Sequence, residues 1–327
     1  MSRALVFTTL MTTIGCLFAF GVYSVKSFFW KIRHQEATFP GAGIFYGSPA
    51  QVTEKYENHI YPAPWAISII WPVVLFWNIS AMVYMLFQKS LSLQLPPRLY
   101  VAWAGAWLLT TVWTFLFDAE SHIATLLVVL TVVILSGSCL RTACKIFYAY
   151  EKNRTKSTES KTDMNHPFLF LVVESLAFLT MWSVVAFAIS IAYALAYKNS
   201  LHSSEAILTG LLTPEESATM GAIFILLVFT IWWTLDIAYW GMATQSIRFL
   251  YPAFCLVMLS LGISNYSTQQ GMSLNNALCF GTSVISLVAM LSRKKAKDIC
   301  IKRLNKKDDN DGCHLDKKKE ISYSKDK

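Results

Sequence analysis

Charge is almost absent from long stretches of this chain, and that distribution constrains its fold more than any motif does. Apolar runs occupy roughly residues 4–25, 64–87, 99–117, 122–140, 167–197, 218–240, 249–264 and 273–292. Most approach the ~20 residues that cross a hydrocarbon core when coiled at 1.5 Å per residue. Inside lipid no water replaces a missing backbone hydrogen bond, so runs of this length must coil on themselves. Barrel strands would be about half as long and would alternate in polarity. Only 15% of the 327 residues are charged and 54% are hydrophobic, whereas soluble domains carry roughly 25% charged residues. The expected fold class is an all-α, polytopic membrane bundle of about eight helices.

Orientation follows from the 28 Lys and Arg. With the C-terminus inside and eight crossings, both termini are cytosolic. Inner segments then carry 23 basic residues and outer loops five, Lys26, Lys31, Arg33, Lys55 and Lys198. Leaving out the tail, the split is still ten to five, and the cluster between Arg141 and Lys161 decides it. Residues 1–25 read as a retained first helix; Arg3 followed by an apolar stretch also fits a cleaved signal peptide. The segment 293–327 reads as a basic, disordered cytosolic tail. Its opening RKKAK, Arg293 to Lys297, is placed to meet anionic lipid headgroups.

The net charge of +8 does not indicate nucleic acid, because most of the surplus lies in two short cytosolic segments. Seven cysteines form no CxxC pair, and those within spans read as small buried hydrophobes. No HExxH, Walker loop or GxSxG occurs, and the six His are dispersed. Neither an enzyme nor a cofactor or metal protein is expected.

Eleven Trp are many for one chain. Interfacial belts explain those near span ends, such as Trp65 and Trp240. Trp77, Trp107, Trp182 and Trp232 lie nearer mid-span. They serve either helix–helix packing or the wall of a pocket for a flat or hydrophobic ligand.

The stretch YPAPWAISIIWPVVLFWNISAMVY, Tyr61 to Tyr84, resembles the signature of the TspO family, the translocator or tryptophan-rich sensory proteins. Pro62, Pro64, Trp65, Trp71 and Tyr84 stand at comparable positions. WTFLF, Trp113 to Phe117, and Trp182 resemble further family positions, and WWTLDIAYWGMATQSIRFLYP, Trp232 to Pro252, resembles a stretch of a larger animal form with added helices. Thr110 and Ser190 stand where the family carries polar Asn residues. The resemblance implies a five-helix unit over 1–197, three additional helices over 198–292, and binding of porphyrin- or sterol-like molecules. On that reading Trp65, Trp71, Trp77, Trp107, Trp113 and Trp182 wall or lid an aromatic cavity formed by spans one to three and five.

Two carboxylates fall within spans, Glu174 and Asp236. Each costs about 2.5–3.5 kcal/mol at a helix centre and so needs a partner or water. Arg248 is the expected partner of Asp236, across the short turn between spans six and seven. The pair of carboxylates also admits a second function, a carboxylate-dependent secondary transporter. A membrane scaffold without a small ligand is the third.

Overall fold

The computed structural model describes residues 5, 7–16, 21, 52–53, 55–87, 95–154, 165–199, 206–238, 244, 247–266 and 271–293. Within these, the side chains of residues 64, 65, 67, 68, 71, 150–154, 165 and 166 lie outside the description. The described residues are 84% helical and contain no strand, as the apolar runs require. A lone antiparallel bridge joins Tyr197 to Leu208.

Eight helices follow in chain order among the described residues. They are α1 (Phe7–Cys16), α2 (Pro64–Phe87), α3 (Pro97–Asp118), α4 (His122–Arg154), α5, α6 (Pro214–Ala238), α7 (Leu250–Ser264) and α8 (Leu274–Arg293). Helix α5 is continuous but composite: a turn at Asn165–Phe168, a π-helical turn at Leu169–Val173, then α-helix Glu174–Ala196. Five of the helices, α3, α4, α5, α6 and α8, are long and apolar enough to cross a membrane. The protein is an integral membrane helical bundle. Among the described residues, Phe7–Cys16, the Pro72–Phe87 part of α2 and Leu250–Ser264 are shorter apolar stretches.

One boundary differs clearly from the sequence expectation. Span four was expected to end near 140, yet α4 continues for 33 residues to Arg154. Leu140, Ala143, Cys144 and Phe147 explain the extension: they repeat every three to four residues, and all are buried. The unusual length of span five includes its π turn, where one residue more than an α turn is accommodated.

Helix α5 is the hub. In its most apolar stretch 78% of residues are buried, against 28–39% in the other four long helices. It packs on α4 and α6 most extensively and also on α2 and α7. Small residues let the neighbours approach. A Cβ on Gly221 of α6 would come within 2.9 Å of the Ala188 carbonyl of α5. Helix α1 is tied to α3 through Cys16, whose thiol lies 2.9 Å from the Trp107 carbonyl. Helices α7 and α8 are joined by Ser286, which donates to the Tyr251 carbonyl at 3.0 Å. On the periphery Phe76, Ile134, Leu227 and Leu291 point outward from four different helices. Lipid tails satisfy such side chains at no cost.

Candidate functional site

An apolar cleft of about 60 Å³ lies among α4, α5, α6 and α7. Ala177, Met181 and Val184 of α5 form one wall, and Phe229 and Trp232 of α6 with Phe254 of α7 form the other. Leu140 of α4 and Leu250 of α7 lie at its margins. The Phe229 and Phe254 rings are stacked, with centroids 4.7 Å apart and planes 10° apart. The one hydroxyl facing the cleft, on Thr180, donates back to the Leu176 carbonyl at 2.8 Å. The cleft therefore offers contact area and π faces rather than hydrogen bonds, and at about 60 Å³ it is smaller than the ~300–1,000 Å³ usual for ligand pockets, so a ligand of that size must part the helices to enter.

The tryptophans expected to build one cavity are distributed among several environments. Trp113 and Trp182 line a smaller cavity of about 10 Å³ between α3, α4 and α5, with Thr110, Val129 and Ser183. Thr110 bonds its own helix at Ala106, and Ser190 bonds Ala186, so neither hydroxyl reaches across. Trp107 is buried in the core with its indole N–H unmatched by an acceptor. Trp77 packs among Phe170, Phe178 and Phe249 and donates to the Phe170 carbonyl at 2.8 Å. Trp65 and Trp71 belong to α2, but their side chains lie outside the described residues. Trp103 was not among the residues singled out, and Trp232, read as a mid-span packing or pocket-wall residue, was not placed in the expected cavity. Trp103 is fully buried and donates to Asn78 at 3.0 Å, while Trp232 walls the larger cleft.

At one end of that cleft the two membrane carboxylates take different partners. Glu174, 2% exposed, accepts the backbone N–H of Arg248 and that of Phe249, the latter at 3.2 Å. These amides precede α7, whose first N–H groups lack acceptors within their own helix. A carboxylate there also meets the positive end of the helix dipole. With 15 residues, α7 spans roughly 22 Å, short of a ~30 Å core. Glu174 supplies the acceptors that these amides lack within their own helix.

Asp236, fully buried, pairs with Arg293 rather than with the expected Arg248. The Arg293 fork donates through Nε at 2.7 Å and through Nη2 at 3.2 Å. Tyr251 adds a hydroxyl bond to the same carboxylate at 2.8 Å, and the guanidinium lies over its ring at 5.1 Å. Arg293 also donates to the Ile247 and Thr244 carbonyls, so one side chain holds α6, α7 and α8 together. Arg248 contributes its amide to Glu174 while its side chain is exposed. The chain passes the Asp236 level with α8, at a distance in sequence that spacing does not reveal.

The opposite end of α5 carries a second polar layer. Glu120, in the left-handed backbone region at φ 57°, accepts from Lys55 at 2.5 Å and from the Tyr56 hydroxyl at 2.8 Å. Burial disfavours the Lys55 ammonium, but the Glu120 carboxylate outweighs it and leaves the Lys55 pKa above the ordinary value. His122 stacks on Tyr193 at 5.6 Å and meets the edge of Tyr56 at 4.7 Å. Tyr197 donates to the Glu57 carbonyl at 2.8 Å, and burial pushes its phenol up to about 12. Ile60, fully buried beside Gly221, wedges this loop between α5 and α6.

No group of three or more His, Cys, Asp or Glu that could hold a metal occurs among the described residues. Comparison of the chain with protein-family models, curated proteins and solved structures finds no match.

Proposed function

We propose that this membrane protein binds a small hydrophobic or amphipathic molecule, drawn from the bilayer, in the cleft among α4, α5, α6 and α7. The observation that carries the reading is the cleft's composition: apolar side chains and three aromatic rings, with its one hydroxyl bonded within its own helix. Such a lining rewards apolar surface and discriminates by shape. Porphyrin- and sterol-like molecules belong to this class, in keeping with the resemblance to translocator proteins. The ligand would meet Trp232 and Phe254, contributed by the three C-terminal helices, rather than the tryptophans of spans two and three. Both termini are assigned to the cytosol in this reading, on the distribution of Lys and Arg.

The test is a thermal-shift screen of purified protein in nanodiscs against protoporphyrin IX, cholesterol and related compounds. A ligand at 100 times its Kd stabilises the native form by about 2.7 kcal/mol. Val184→Phe fills the cleft from α5 and should abolish that shift while leaving the unliganded melting temperature close to wild type. An equal shift in Val184→Phe, or no shift with any compound, overturns the proposal.

A further inference from the structure

We propose that Glu174 is a proton-released latch on the cleft: its ionised carboxylate holds the start of α7 against α5, and the neutral acid lets that end open. The inference rests on the ligand-binding reading of the cleft and assigns its regulation.

The connection is direct. Glu174 accepts the Arg248 and Phe249 amides, and the next residue, Leu250, lines the cleft. On the other wall Ala177, three residues beyond Glu174 on the same helix, lines it too. One carboxylate thus spans from the α5 wall to the α7 wall. A carboxylate presents two acceptor oxygens, while the protonated acid turns one into a donor that faces an N–H. The charge-assisted bonds, about twice as strong as neutral ones, are lost with it. The two amides then lose the acceptor that tied them to α5, and the start of α7 is free to separate from it.

The surroundings make Glu174 the group of this layer fitted to act as the switch. Arg293 of α8 and Arg248 ahead of α7 are the cations that act on it. Asp236 of α6 is already bound by Arg293 and by the Tyr251 hydroxyl of α7. Helix α4 offers Arg141 and Lys145, both exposed, and α2 brings the indole of Trp77. Glu174, by contrast, is satisfied by backbone amides, which do not move their own charge when it titrates. It also follows the π turn Leu169–Val173, a device common at sites where a helix must adjust.

Hydrogen–deuterium exchange of the full chain in nanodiscs, without ligand, tests the latch. The peptide containing Arg248 and Phe249 should be protected at neutral pH and exchange about tenfold faster, after correction for intrinsic rate, at mildly acidic pH. Glu174→Gln should exchange fast at both pH values, and Glu174→Asp, which keeps the charge, should retain pH dependence. Peptides of α3 and α4 should not change. Equal protection of the α7 start in wild type and Glu174→Gln overturns the latch, whatever the ligand screen returns. If Glu174→Gln exchanges faster throughout, the wild-type pH comparison decides: pH-independent protection refutes the proposal. A screen without ligands alongside faster exchange would instead refute the binding reading and leave the latch standing.

Discussion

Removal of Arg293 isolates the contribution of the buried charge network. The guanidinium donates twice to Asp236, which is fully buried, and to the carbonyls of Thr244 and Ile247. Arg293→Met takes away all four contacts but fills similar volume. Deleting one partner of a buried pair costs about 3–5 kcal/mol, because the remaining charge keeps its desolvation penalty without the compensating attraction. A central value near 4 kcal/mol corresponds to about a thousandfold change in the unfolding equilibrium. Asp236→Leu combined with Arg293→Met removes both charges and should cost no more than about 2 kcal/mol, from the Tyr251 hydroxyl and the two carbonyls. Arg293→Lys should fall between, since one ammonium cannot reproduce a fork. Reversible unfolding in mixed micelles, followed by tryptophan fluorescence, supplies the double-mutant cycle. If Arg293→Met costs under about 1 kcal/mol, or the double variant costs as much as the summed singles, the pair does not couple as described.

Three further outcomes can be checked by unfolding. Gly221→Ala should destabilise by about 1–3 kcal/mol, because its methyl would meet the fixed Ala188 carbonyl, whereas Gly281→Ala, with nothing within 4 Å, should be neutral or stabilising. Asn78→Leu should cost about 1 kcal/mol and shift the emission of Trp103, whose indole loses its acceptor across α2 and α3. Tyr197 titrates at about 12 when folded against an ordinary value near 10. Its contribution is therefore complete below pH ~10 and lost as pH rises towards the folded value, and Tyr197→Phe should flatten that alkaline loss in a pH series of melting temperatures.

The helices were legible in the residues. Six of the eight apolar runs end within about four residues of a described helix, because insertion of a segment depends on its own side chains. Two features of the same kind were also legible: Glu174 and Asp236 stood out as charges that lipid would not tolerate alone. Their partners did not. Arg293 opens RKKAK and reads there as the first residue of a basic tail, yet it folds back 57 positions to Asp236. Glu174 finds its donors in backbone amides 74 and 75 positions away, and an amide has no residue type to read.

The tryptophans divide along the same line. Their number and mid-span placement could be read, but not that Trp232 walls the larger cleft while Trp107 is buried in the core. In water a helix shows which face it buries, since polar residues mark the other. Lipid accepts the same apolar side chains that the core does, so these spans carry no such mark. Local composition therefore determined that the chain coils and crosses a membrane. The rotation of each helix, the ion pair at Asp236 and the cap on α7 were decided only by packing between segments far apart in the chain.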